Sequence, residues 1–260
     1  MTFMPRCWVL LRGLGRESRH WFDFPSQFER ALGVRALLLD LPGTGDQHSR
    51  CASASAAAQV RELELQLAGR REPLPDGPWG VLAISFGSMV AFEWAARRPD
   101  RISHLVSINA SDRHSPPYRR LRPGALVRLI QARLQRSLSE RERCLYRLTT
   151  NAPLPDTEAW ARGATEIART RPVHPNAIAR QLLAAARFSV PRVEQPCLLL
   201  SSQADRLVSP SCSGVLAQQL GAPHYSHADA GHDLPLDDPG WVIHRIRCWL
   251  AEEPYRQGPR

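Results

Sequence analysis

The sequence predicts an α/β fold: a mostly parallel, doubly wound sheet interrupted by an all-helical insertion. Three observations carry this expectation. Short continuous apolar runs alternate with helix-like stretches through residues 1–111, the pattern of strands covered on both faces. The alternation resumes over 191–260. Between them, 112–190 shows no convincing strand and carries the chain's whole charge excess.

The elements follow in order. Cys7–Leu11 (CWVLL) is a buried-type strand ending at Gly13 and Gly15. His20–Leu32 is amphipathic, with Trp21, Phe24, Phe28 and Leu32 near helical spacing. Ala36–Asp40 (ALLLD) is a strand stopped by Pro42-Gly43, and Ser53–Ala68 is a helix rich in Ala and Leu. Trp79–Ile84 is a strand; Phe86–Arg97 is a helix that stops before Pro99. Leu105–Asn109 is the last strand of this part. The insertion fits four helices at 123–137, 139–149, 156–170 and 175–188. Ser139 with Glu142 reads as a capping box, and Pro153, Pro155, Pro172 and Pro175 punctuate the segment. Cys197–Ser201 (strand), Ser211–Leu220 (helix), His224–Ala228 (strand) and Trp241–Ala251 (helix) close the chain. The expected organisation is a core in two parts, 1–111 and 191–260, with the helical insertion at 112–190.

Composition bounds the function. With 260 residues, 43% hydrophobic and 23% charged, the chain can bury a real core and is not a disordered segment. No apolar run approaches the roughly 18–20 residues of a membrane span. The apolar part of MTFMPRCWVLLRGLG is too short for a signal peptide and reads as a strand. None of the six cysteines forms a CxxC pair, which argues against zinc ribbons and thioredoxin-type chemistry; scattered Cys in apolar company fits a reducing, cytoplasmic setting. All 34 basic residues are Arg, so a Walker-type lysine and a Schiff-base amine are both absent. From Asp112 to Arg187 there are 15 Arg against 6 acidic residues; the remainder balances at 19 each, leaving the net +9 in the insertion.

The chemistry centres on Trp79–Trp94, WGVLAISFGSMVAFEW. A buried strand runs straight into Ser85 and a helix starts at once. Ala83 and Gly87 flank the serine at −2 and +2, as a sharp strand-to-helix turn requires. Such a turn exposes Oγ beside a helix N-terminus that favours negative charge. The pentapeptide alone fits an ordinary strand–turn–helix with a Ser N-cap equally well. A nucleophile, however, needs a base and a group to orient it. Asp205 lies just past the CLLLS strand and His232 just past the last strand. Singly, each fits a surface turn; together with Ser85 they fall at three strand ends, where ligand sites of open α/β sheets collect. Arg12-Gly13-Leu14-Gly15 lets backbone approach this point, so the Leu14 and Phe86 amides are candidates for an oxyanion site.

On RGLG, DLPGTG (Asp40–Gly45), the serine turn, the Asp205 turn and AGHDLPLDDP, the chain resembles the α/β-hydrolases over nearly its whole length. It resembles the branch with a helical cap inserted after the sixth strand. Within it, the chain is similar to small bacterial carboxylesterases with a four-helix cap, including pimeloyl-carrier-protein methyl ester esterases. The resemblance implies Ser85, Asp205 and His232 as catalytic residues and Leu14 and Phe86 as oxyanion donors. Two positions depart from the family's pattern: the usual glycine at −2 is Ala83, and the usual histidine before the oxyanion glycine is Arg12.

The expected reaction is cleavage of a carboxylic ester through an acyl-enzyme, with no cofactor and no metal. His224, His227 and His232 lie close in sequence, but 224 and 227 share a strand and are poorly placed for joint zinc ligation. An electropositive rim steers anions. Arg12, Arg113, Arg119, Arg120 and Arg122 are candidates for holding an anionic ester or an acyl chain on an acidic carrier protein. A solvated Arg/Glu surface is the plainer reading of the same residues. Nucleic acid is disfavoured, because aromatics in the insertion are sparse. A thioesterase or acyltransferase with the same triad remains open, as does a non-catalytic binding protein on this scaffold.

Overall fold

Alternation along each strand decides which helix layer covers it. The computed structural model describes residues 5–75, 77–151 and 157–256. Cys7–Leu11 forms β1, and its side chains point alternately to two cores. Val9 and Leu11 join one core; Trp8 and Leu10 join the other. The helix expected over His20–Leu32 is broken in two. A 3₁₀ turn at Ser18–Trp21 ends at Phe22, whose φ is +47°, and α1 runs Phe24–Leu32. Pro25 explains the break: it has no N–H to donate and fits a helix's first turn. Then follow β2 (Arg35–Leu39), α2 (Ala56–Ala68), β3 (Trp79–Ile84), α3 (Phe86–Arg97) and β4 (Ile102–Ile108).

Five helices and no strand follow among the described residues: α4 (Pro117–Arg120), α5 (Pro123–Arg133), α6 (Leu138–Thr149), α7 (Thr157–Thr170) and α8 (Ala177–Arg187). Residue 156, where the third helix was expected to start, and the Pro153/Pro155 break lie outside the described residues. The expected capping box shifts by two. Ser137 caps α6, accepting from the Glu140 amide at 3.1 Å, while Ser139 lies inside the helix. Glu142 is instead buried on Arg16 at 2.6 Å. Two Ser-x-x-Glu patterns overlap here, and tertiary pairing of Glu142 selects the earlier. The chain closes with β5 (Cys197–Ser202), α9 (Pro210–Leu220), β6 (His224–His227), α10 (Leu234–Asp237) and α11 (Pro239–Arg256).

The sheet is six-stranded, wholly parallel among the described residues, in the order β2-β1-β3-β4-β5-β6. The inserted helices follow the fourth of these strands rather than a sixth. One face carries α2, α3 and Leu216 and Ala217 of α9; the other carries α1 and α11. Ala184 and Phe188, at the end of the inserted helices, join the first core. No described helix is long and apolar enough to cross a membrane. The register sets Leu11 beside Ala83, Ile84 beside Ile108 and Ile108 beside Leu200. The loops leaving β1, β3, β4 and β5 therefore emerge side by side.

Candidate active site

β3 ends at Ile84 and α3 begins at Phe86, so Ser85 alone turns the chain. Its φ of +56° and ψ of −122° lie where only glycine sits without strain. The turn is held because Ser85 N–H donates to Ile108 O at 2.8 Å and Ser88 N–H donates to Ser85 O at 3.0 Å. Close neighbours explain the small flanking residues. A Cβ on Gly87 would lie 2.5 Å from Arg12 O, and one on Gly13 would lie 3.2 Å from Ser85 Cβ. Ala83 is fully buried against β1 and fits without a glycine.

Asp205, in the turn after β5, is 1% exposed. Its Oδ1 accepts from the amides of Leu207 (2.6 Å) and Val208 (3.0 Å), which leaves Oδ2 for His232 Nδ1 at 2.7 Å. The carboxylate thus fixes the imidazole plane and turns Nε2 outward. Neither His232 Nε2 nor the Ser85 hydroxyl has a hydrogen bond among the described residues, so no bond joins the two here. Nucleophile–base contacts in unliganded sites are often long and tighten when substrate binds.

Asn109 brings the two ends together, and the sequence reading missed it. It follows β4, is 1% exposed and sits at φ +49°. Its Nδ2 donates to His232 O at 2.9 Å and to Ser202 Oγ at 3.1 Å; its Oδ1 accepts from Ser202 N–H at 3.0 Å. The available signal was a lone amide after an apolar strand, at a residue type that tolerates left-handed backbone.

The loop after β1 carries Leu14. Neither the Leu14 nor the Phe86 amide has an acceptor among the described residues. The loop is pinned by Gln181 of α8, fully buried, whose Oε1 accepts from Gly15 N–H at 3.0 Å. Its shape also depends on Arg12. The guanidinium forks onto both oxygens of Asp233, at 2.9 and 2.5 Å, and lies 4.7 Å from the Trp21 ring centroid. Burial, with Arg16 and Arg12 adding to it, holds the neighbouring His20 well below its usual pKa and hence neutral. The DLPGTG turn is a support: buried Asp40 accepts from Ser18 N–H at 2.6 Å and Asp46 N–H at 2.8 Å.

The other arginines separate. Arg120 caps α8, donating to the carbonyls of Ala186 (2.9 Å) and Ala185, and burial lowers its pKa. Arg122 donates to Asp205 O at 2.7 Å, tying the start of α5 to the acid's turn. Arg113 and Arg119 are exposed. The histidines go elsewhere: His224 Nε2 meets Ser201 Oγ at 2.8 Å and His227 Nε2 meets Asp238 at 3.2 Å.

A family model described as alpha/beta hydrolase fold matches residues 9–239. The chain is 28% identical over 251 residues, 92% of its length, to the biotin biosynthesis bifunctional protein BioHC of Cellvibrio japonicus (strain Ueda107). The match covers 46% of that protein, so the chain spans about half the length of this curated relative. Among solved structures, a thermophilic esterase from Thermogutta terrifontis aligns with a TM-score of 0.66 at 20% identity, over 95% of this chain and 89% of that one. A hydrolase from Pseudomonas aeruginosa PA01 aligns with a TM-score of 0.70 at 19% identity, over 95% and 90%. Likeness at such identities speaks to the fold alone. The family match, by contrast, runs from β1 to the start of α11 and encloses the whole site, and by it the chain belongs to the alpha/beta hydrolase fold family.

Proposed function

We propose that this protein is a serine esterase that cleaves carboxylic esters through an acyl-enzyme. The observation that carries the reading is the pairing of His232 Nδ1 with the buried Asp205 carboxylate at 2.7 Å, at the sheet edge where Ser85 is held in a strained turn. Ser85 Oγ attacks the ester carbonyl while His232 Nε2 takes its proton. Asp205 holds the imidazole and stabilises its cationic form. The Leu14 and Phe86 amides receive the oxyanion, aided by the N-terminus of α3. Protonated His232 then gives its proton to the leaving alcohol, and water, deprotonated by the same imidazole, releases the acid.

The test is intact-mass labelling with a fluorophosphonate, followed by a p-nitrophenyl ester series and acyl-thioesters on the same sample. One adduct on Ser85 and faster turnover of esters are expected. A folded protein that takes no label overturns the catalytic reading in favour of a binding scaffold, and faster thioester turnover moves it to a thioesterase.

A second reading concerns what brings the acyl chain. Residues 113–139 contain seven arginines and no acidic residue, and Arg113 and Arg119 are exposed there. This favours an acyl group borne by an acidic carrier protein, met by the helices α4–α8 acting as a cap over the core. A cytoplasmic setting accords with cysteines that form no disulfide among the described residues. Turnover of carrier-linked ester that falls with added salt, beside a flat response for free ester, is the expected result. Equal responses remove the carrier from the account.

A further inference from the structure

The buried ion pair of Arg12 and Asp233 joins two loops that the reaction proposed above must keep in register. Arg12 is 4% exposed and Asp233 8%. Arg12 directly follows β1 and stands two residues before Leu14, and Asp233 directly follows His232. The two residues lie 221 positions apart in the chain, yet Arg12 Nη1 donates to Asp233 Oδ1 and Nη2 to Oδ2. A planar fork on a planar carboxylate fixes distance and orientation together, which a point charge cannot do. The Trp21 ring, 4.7 Å from the guanidinium, holds it from one side.

Arg12 is also fixed through its backbone. Its carbonyl lies so close to α3 that only glycine fits at position 87. Asp233 N–H donates to Thr149 O at 2.8 Å, anchoring the other end to α6. One residue therefore abuts the serine turn with its backbone, precedes the oxyanion loop in sequence and grips the base's loop with its side chain. Stability alone does not call for such a pair, since apolar residues of similar volume commonly replace a buried ion pair without loss.

We propose that Arg12 and Asp233 are positioning residues: their fork sets the His232 loop against the Leu14 loop and Ser85, and so sets the rate of acylation. The proposal rests on the serine-esterase reading. Neither side chain takes part in a covalent step.

The decisive variant is the double replacement Arg12→Met with Asp233→Leu, which removes the fork without leaving a buried charge unpaired. The probe is p-nitrophenyl butyrate in single-turnover mode, with melting and far-UV circular dichroism on the same samples. The expected result is a folded protein with near wild-type melting. Its acylation rate and kcat fall about 100-fold, the scale of an ångström's misplacement, with KM changed by less than about threefold. Arg12→Lys keeps the charge and loses the fork; it should recover part of the rate, and it serves alone if the double variant does not fold. A folded double variant, or failing that a folded Arg12→Lys variant, acylating at the wild-type rate overturns the proposal. The two readings fail separately. A wild-type protein that a fluorophosphonate does not label ends the esterase reading and this role with it. A labelled wild type beside an equally fast variant ends only the positioning role.

Discussion

The side-chain amide of Asn109 donates to the backbone carbonyl of His232 at 2.9 Å, while the preceding carbonyl, that of Ile108, accepts from Ser85 N–H at 2.8 Å. Two consecutive residues at the end of β4 thereby hold the candidate base and the candidate nucleophile. No side chain of the proposed triad takes part in this link. Strand register and one buried amide therefore contribute to the alignment of the candidate site.

Asn109→Gly keeps the left-handed backbone and deletes the amide. The carbonyl of His232 and the amide of Ser202 then lose a buried partner, which should destabilise the fold by about 1–3 kcal/mol and lower kcat about tenfold or more. Denaturant unfolding and steady-state kinetics on one preparation measure both. A glycine variant with wild-type kcat would mean that the His232 loop is held well enough elsewhere.

Strain at Ser85 separates two otherwise equivalent inactive variants. Ser85→Ala and Ser85→Gly should both lose fluorophosphonate labelling. Only glycine relieves φ +56°, so the glycine variant should be more stable than the alanine variant by about 1 kcal/mol. Equal unfolding free energies would show that the turn is relaxed in solution.

Gly87→Ala places a methyl group against Arg12 O, 2.5 Å away, and both partners are backbone-anchored. The loop after β1 must move, so a stability loss of about 1–3 kcal/mol is expected together with a lower kcat. Thermal melting and ester turnover test it, and an unchanged pair of values would count against the close approach.

Asp205→Asn should leave the Leu207 and Val208 amides satisfied through Oδ1, but it turns an NH₂ toward His232 Nδ1. The imidazole then prefers the tautomer with its proton on Nε2, where it cannot act as base. The expected fall in kcat is on the order of 10³–10⁴ with little change in melting. Activity close to wild type would indicate that another carboxylate takes its place.

His104 supplies the pH prediction. Burial beside Trp249 pushes its pKa down from the usual 6.5 to about 4. The unfolded chain therefore binds a proton more readily, and this histidine's contribution is intact above pH 6.5 and lost as pH falls towards 4. The loss is about 3 kcal/mol across that window. His104→Phe should flatten this part of the stability–pH curve measured by urea unfolding; a variant curve parallel to wild type would assign the acid sensitivity to other groups.

Local sequence decided much of this molecule. Five of the strands grew from apolar runs, because a stretch covered on both faces must be largely apolar, while the sixth, His224–His227, is a polar, half-buried strand at the sheet's edge. Ser85 could be picked out because it stands directly after an apolar run, with small residues around it marking the turn, and Asp205 and His232 because they fall in the loops just past the last two strands. Helix starts were legible only within a few residues. Ser137, not Ser139, caps α6, since a capping pattern cannot tell that Glu142 has a partner 126 positions away.

What the chain alone could not specify is which distant polar groups meet. Arg12 was visible as a departure from the family's pattern, but its partner Asp233 comes from the far end of the sheet. Of the arginines in the inserted segment, Arg120 and Arg122 are committed to internal carbonyls, while Arg113 and Arg119 are exposed. Asn109 and Gln181 acquire their roles only once β4 and α8 are in place. Hydrophobic periodicity is a short-range signal written within each element. Buried hydrogen bonds and ion pairs between loops depend on strand order and register, and these exist only after the sheet has assembled.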